Sequence, residues 1–303
     1  MSTTNLKYKY CVGGITIGSD IHYPELILDN SHKDVEVVLA YGEVPETLDN
    51  NRADFPIVEV NEDNYLLKIP RAGRYWVNKG DRITIQAEEG ATLEDVRKQS
   101  LTAVLAMLGY QRNYIMMHGG VVIINGRGVL ITGISAMGKS ALLAALSQKG
   151  CRVISDDISY IQVIDKEVIA FPSFPRIMLW KDSLRKLKLK AEEGQKLRAD
   201  MEKYFYPVSN SAFQEQVRID TVCVLTSSIG CGLFKTLSGL GKTTHLRDNL
   251  FHPWILGPMG KSGYYASRVL GMSSLVDVML FGNDQTKSIE ELADLFIENM
   301  TNA

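Results

Sequence analysis

Val129-Leu130-Ile131-Thr132-Gly133-Ile134-Ser135-Ala136-Met137-Gly138-Lys139-Ser140-Ala141-Leu142-Leu143-Ala144-Ala145-Leu146 holds the spacing Gly-x-x-x-x-Gly-Lys-Ser at Gly133, Gly138, Lys139 and Ser140. An apolar run of strand type enters the motif and an Ala/Leu run of helix type leaves it. That strand–loop–helix setting is the one in which this spacing binds phosphate. Glycines let the backbone curl until several N–H groups of Gly133, Ser135, Ala136, Met137, Gly138, Lys139 and Ser140 face one anion. The helix that follows adds its positive end. Lys139 is expected to reach the β- and γ-phosphates of a nucleoside triphosphate, and the Ser140 hydroxyl to ligate Mg²⁺. A dinucleotide loop is disfavoured, because Gly126-Arg127-Gly128-Val129-Leu130-Ile131 lacks the third glycine of Gly-x-Gly-x-x-Gly.

Downstream, the apolar run Arg152-Val153-Ile154-Ser155 ends in Asp156-Asp157. Two adjacent carboxylates are costly unless a cation or a reaction uses them. In open α/β sheets ligands sit at the carboxyl ends of strands. The pair is therefore expected to share one metal ion and one proton; a plain turn is the alternative. Upstream, His118 in Met116-Met117-His118-Gly119-Gly120 precedes the strand-like Val121–Ile124. Taken alone it reads as a structural histidine. Ser238-Gly239-Leu240-Gly241-Lys242-Thr243-Thr244 imitates half a phosphate loop, but Thr236 stands where the first glycine is needed. It is expected to be a helix start, with Thr243 and Thr244 near the cap.

Around this centre the chain divides by texture. Residues 1–95 read as a β-rich domain, with strand runs at 15–18, 35–39, 65–69, 74–77 and 82–85 and a hairpin turn at Asn78-Lys79-Gly80-Asp81. Leu93 to Leu108 is apolar at Val96, Leu101, Val104, Leu105 and Leu108, a helical spacing, and residues 96–117 are expected to form a linker helix. Residues 118–303 alternate strand and helix, which predicts α/β. The charged run Lys181–Tyr206 is expected to be helical, Thr221–Leu225 a buried strand, and Ser288–Met300 a closing helix. Cys11, Cys151, Cys223 and Cys231 are scattered without a Cys-x-x-Cys pair and read as buried thiols in a reducing cytosol. A net charge of −2 over 303 residues gives no field for nucleic acid, and no apolar run approaches a membrane span. A cytoplasmic protein, with homo-oligomerisation open, is the expectation.

The order His118-Gly119-Gly120, Val121–Ile124, Gly133 to Ser140, Gly150, Asp156-Asp157 resembles the catalytic domain of HPr serine kinase/phosphorylase. The resemblance implies an α/β fold, with an N-terminal β-rich domain and a C-terminal P-loop kinase domain of HPr kinase / phosphoenolpyruvate carboxykinase-like type. It also implies that His118, Asp156 and Asp157 belong to the active site. Residues 9–300 more loosely resemble the HPr-kinase-like proteins found with lasso-peptide biosynthesis. That likeness rests on Gly18-Ser19-Asp20-Ile21, Pro24-Glu25-Leu26, Gly73-Arg74-Tyr75-Trp76 and Pro175-Arg176-Ile177-Met178-Leu179-Trp180. Members of that branch phosphorylate a serine on a precursor peptide, often at its C-terminus.

The expectation is thus an ATP-dependent, Mg²⁺-requiring serine kinase acting on a peptide. An HPr-type protein kinase, a small-molecule kinase and a nucleotide-gated regulatory protein are the alternatives. Asp156 is expected to take the proton of the acceptor hydroxyl and Asp157 to hold the metal with Ser140. The sequence leaves the exchange of these two roles open. Arg176 is expected to clamp a phosphate. Two departures stand out. Ser135-Ala136 replaces a small-Gly pair inside the loop. The Gly-rich signature loop of the bifunctional enzymes is missing after Phe171, which argues against phosphorolysis.

Overall fold

A computed structural model describes residues 6–53, 55–190, 195–198, 201–208, 215–227, 233–284 and 286–302. The fold is mixed α/β. The chain forms two compact units, one of residues 1–116 with 252–267, the other of residues 117–251 with 268–303. Residues 252–267, expected in the second domain, therefore pack with the first.

In the first unit, seven strands form one sheet: β1 (Tyr8–Val12), β2 (Ile15–Ser19), β3 (Val37–Tyr41), β4 (Val58–Val60), β5 (Asn64–Ile69), β6 (Gly73–Asn78) and β7 (Arg82–Ala87). Their order is β1-β2-β3-β7-β6-β5-β4. The expected hairpin turn joins β6 to β7, with Lys79 at φ 49 and Gly80 at φ 72. Two consecutive positive φ values match the twist of the flanking strands. The expected helix is present but interrupted. Helix α1 (Leu93–Gln99), whose Thr92 cap accepts from Asp95 N, passes through a π-turn at Ser100–Val104 into α2 (Leu105–Gln111). All five apolar positions read from its periodicity are buried. It belongs to the first unit and does not stand apart as a linker.

The second unit is built on an eight-stranded sheet. Its strands are β8 (Ile115–Ile124, entering from the end of the first unit), β9 (Arg127–Gly133), β10 (Arg152–Ser155), β11 (Ile158–Ile164), β12 (Glu167–Phe171), β16 (Val217–Thr226), β17 (Phe234–Thr236) and β18 (Asp277–Gly282). At its centre β9 and β18 both run parallel to β16, and β8 runs antiparallel to β9. A separate small sheet orders β13 (Arg176–Trp180), β15 (Met201–Pro207) and β14 (Gln195–Arg198).

The helices are α3 (Lys139–Gln148), α4 (Lys181–Lys186), α5 (Leu240–Asp248), α6 (Ser262–Ser273) and α7 (Ile289–Asn302). Leu142, Leu143 and Leu146 of α3 pack in one core with Phe281 of β18 and Phe296 of α7. Helix α7 starts with a capping box: Glu291 N donates to Ser288 Oγ (3.2 Å) and Ser288 N to the Glu291 carboxylate (2.7 Å).

The expected helix over 181–206 is corrected. Among its described residues only Lys181–Lys186 is helical, and the described residues of 195–207 are strands. Charge density hid the sheet; Phe205 is buried while Glu202 is exposed. Cys223 is buried as expected, Cys11 and Cys151 are only partly so, and Cys231 lies outside the described residues. No described helix is long and apolar enough to cross a membrane.

Candidate active site

Strand β9 ends in Gly133, which sits at φ 138. A Cβ there would lie 2.6 Å from the Leu225 carbonyl of β16, so the parallel pairing of β9 with β16 demands glycine. Residues 134–136 then loop into solvent, and Ala136 takes φ 68, a left-handed conformation that costs an alanine about 1 kcal/mol. Gly138, at φ 92, turns the chain into α3. Asn283, just after β18, braces the loop: its side chain donates to the Met137 carbonyl (3.1 Å) and its own N–H to Thr226 O (2.8 Å).

Lys139 lies across this loop, 7% exposed, donating to Gly133 O (2.8 Å) and Ile134 O (3.1 Å). Burial lowers its pKa, against the opposing charges of Asp157 and Asp156. An incoming phosphate would offer the ammonium better acceptors than the loop's own carbonyls. Ser140, one residue on, donates to Asp156 Oδ1 at 2.9 Å.

The acidic pair is anchored by β8. Gly119 N donates to Asp157 O (3.1 Å), Val121 N to Ser155 Oγ (3.1 Å), and Ser159 Oγ to Gly119 O (2.9 Å). Ser155 and Ser159, buried and mutually hydrogen-bonded at 2.7 Å, are structural members of the site that no motif announced. Thr132 Oγ1 in turn donates to His118 O (2.7 Å). The result separates the two aspartates. Asp157, at φ 65, points into a cavity of about 150 Å³, with its Oδ1 3.9 Å from His118 Nε2. Asp156 is 4% exposed, and its second oxygen accepts from Met178 N at 2.7 Å.

The cavity brings together His118, Ser135, Ala136, Gly138, Lys139, Ser140, Ala141 and Asp157 with Met178, Leu179, Trp180, Ser183 and Lys203. The last five escaped the sequence. Arg176 does not line it. It stands at the start of β13, and its guanidinium lies 5.9 Å from the Phe205 ring centroid. Asp156, expected to meet the acceptor hydroxyl, is likewise not among the lining residues. The downstream imitation of the loop is the first turn of α5, capped by Gly239, with Thr243 Oγ1 bonded to Ser273 Oγ (3.0 Å).

The segment 111–177 matches the family model of the HPr Serine kinase C-terminal domain. Over this segment the chain is similar to HPr kinases. That segment contains His118, the whole loop from Gly133 to Ser140 and both aspartates. Over 112 residues the chain is 30% identical to the HPr kinase/phosphorylase of Clostridium perfringens strain SM101 / Type A, a stretch covering 37% of this chain and 32% of that one. The same figures hold for the protein of strain 13 / Type A. The match thus spans about a third of the length of these curated relatives. The Hpr(Ser) kinase/phosphatase from Coxiella burnetii is a structural match with a TM-score of 0.36 at 16% identity, covering 62% of this chain and 90% of that chain.

Burial raises the Asp156 carboxyl from 3.8 to about 6; the charge of Asp157 adds to this, while Met178 N, Ser140 and Lys203 pull it down. The folded value exceeds the unfolded one, so ionising Asp156 destabilises the fold. The cost is absent below pH 3.8, grows as the pH rises to about 6, and then levels near ~3 kcal/mol. Asp156→Asn, free of ligand, is therefore expected to unfold at higher denaturant than the parent at pH 7.5, with no difference near pH 4. A variant less stable than the parent at both pH values would refute this account of Asp156.

Proposed function

We propose that this protein is an ATP-dependent serine kinase, and that the convergence of Lys139, Ser140, Asp157 and His118 on one cavity carries that reading. A phosphate loop alone would fit any nucleotide-binding protein. A cavity-facing carboxylate beside a histidine adds what a transferase needs: an acceptor for the proton of an attacking hydroxyl. In this reading the acceptor serine oxygen attacks the γ-phosphorus in line. One P–O bond forms, the bond to the β-phosphate oxygen breaks, ADP leaves, and the proton goes to Asp157. His118 holds that carboxylate, and Lys139 offsets charge on the phosphates.

The expected roles of the two aspartates are exchanged here, because Asp156 already spends both oxygens on Ser140 and Met178 N. Ser140, with the Asp156 carboxylate behind it, offers the hard oxygen donors that suit Mg²⁺. Among the described residues no group of three or more His, Cys, Asp or Glu side chains is placed to hold a metal unaided. This fits a cation that is bound jointly with the nucleotide, through one or two carboxylates plus phosphate oxygens. Such a cation would neutralise phosphate charge.

We further propose that the acceptor is a serine near the end of a short flexible precursor peptide, of the lasso kind, and that phosphorolysis is negligible. The acceptor class rests on the family resemblance. The second point rests on the connection from β12 to β13. It runs Pro172-Ser173-Phe174-Pro175, with Ser173 and Phe174 buried, and has no exposed glycines to wrap an incoming phosphate. The name HPr kinase/phosphorylase of the curated relatives favours a second acceptor, folded HPr.

The experiment offers γ-labelled Mg-ATP with either a serine-ended precursor peptide or folded HPr, then adds excess inorganic phosphate. Label on the peptide serine that survives the phosphate is the expected result. Transfer only to HPr, or release of pyrophosphate, would move the protein to the bifunctional class. Label on neither would count against the peptide and HPr readings alike.

A further inference from the structure

Among the described residues, Lys203 is the one lysine or arginine lining the cavity from outside the loop of Gly133 to Ser140. Its place is set by strand pairing. In the register of β13 with β15, Lys203 stands directly opposite Trp180, so both side chains rise on one face of the small sheet. The Lys203 ammonium lies 5.9 Å from the centroid of the Trp180 ring, and Trp180 is itself 49% exposed. The adjacent Glu202 is engaged elsewhere, with Lys181 at 3.0 Å and Lys196 at 2.5 Å. Among the described residues no carboxylate pairs with Lys203. The charge is nevertheless felt in the cavity: it pulls the Asp156 carboxyl down and disfavours the protonated form of Lys139.

A purely structural lysine on this central strand would reach for a carboxylate or for solvent. This one instead shares a cavity of about 150 Å³ with Lys139, leaving two lysines facing one half-buried carboxylate, Asp157. Two like charges in a small space repel unless an anion joins them. Its ammonium stands over the indole, which limits the freedom that a long side chain loses on binding. We propose that Lys203, with Lys139, holds a phosphate group in this cavity: the terminal phosphate of the nucleoside triphosphate, or inorganic phosphate in its place. This rests on the nucleotide reading above, and makes Lys203 the residue that distinguishes a triphosphate from a diphosphate.

The test is calorimetric titration of ATP, ADP and inorganic phosphate, each with Mg²⁺, into the parent protein and into Lys203→Met, Lys203→Arg, Lys139→Met and Lys181→Met. Lys203→Met is expected to weaken ATP about ten- to a hundredfold, the range for one charge-assisted hydrogen bond, while ADP changes less than about twofold. Lys203→Arg should keep most of the affinity, which also shows that the position tolerates replacement. Lys181→Met, whose partner is the exposed Glu202, should behave as the parent. If phosphate weakens along with ATP, Lys203 takes phosphate from either source; if only ATP weakens, it serves the nucleotide. Unchanged ATP affinity in Lys203→Met, or equal losses of ATP and ADP, would overturn the proposal. When Lys139→Met loses ATP and Lys203→Met does not, only this assignment fails. When neither loses it, the nucleotide reading fails as well.

Discussion

Asp157→Asn should lower phosphoryl transfer by about a thousandfold while Mg-ATP still binds within a few-fold of the parent affinity, an effect in the range for loss of a general base. The carboxylate faces the cavity and stands 3.9 Å from His118 Nε2. Its carbonyl is pinned by Gly119 N, so the substitution removes the charge without releasing the backbone. Asparagine is nearly isosteric and cannot take up a proton. The measurement is a single-turnover transfer with γ-labelled ATP, beside a binding titration of the same sample. Asp156→Asn should fail differently, by weakening the metal-dependent part of ATP affinity through Ser140. If Asp156→Asn instead binds normally and cannot transfer, the roles first inferred from the sequence are the right ones. Parent rates in both variants would remove the pair from the mechanism.

Lys139→Ala should weaken ATP by about a hundredfold or more, whereas Lys242→Ala should leave it within about twofold. Lys139 is held inside the loop by two backbone carbonyls and needs only to exchange them for phosphate oxygens. A charged hydrogen bond to each of two phosphates is worth a few kcal/mol together. Lys242 has the same neighbours in sequence but not in space. It sits on the first turn of α5, behind Gly239, with no strand delivering a glycine to that turn. Titration of ATP into the two variants decides the matter. Equal losses would mean a second nucleotide site on α5.

What could be read in advance followed from locality. The strand, turn and helix around Gly133 to Ser140, the hairpin at Lys79-Gly80 and the closing helix are each decided by residues within a few positions of one another. The hydrophobic period of residues 93–108 was legible for the same reason, though not the π-turn, which adds one residue without breaking the apolar stripe. The other wall of the cavity was not legible. Trp180 and Lys203 meet only because β13 pairs with β15 across an intervening charged stretch, and that stretch carries the composition of a solvated helix. Arg176 opens a strand whose far end, at Met178 to Trp180, is the part that reaches the cavity. The difference between Asp156 and Asp157 is invisible in a two-letter motif. It arises from one left-handed residue, Asp157, which sends neighbouring carboxylates to opposite sides of the chain.

Gly120 sets a limit on how this protein can vary. A Cβ at that position would stand 2.5 Å from the Ser155 carbonyl, just ahead of the acidic pair. The missing side chain therefore acts as a spacer: it fixes how near the strand carrying His118 comes to the turn carrying Asp157. Alanine, the smallest alternative, would have to push the two segments apart, and the histidine and carboxylate would separate before any catalytic atom had been altered. Drift at Gly120 has no intermediate. A lineage that keeps glycine there keeps the geometry available, even after its chemistry has changed.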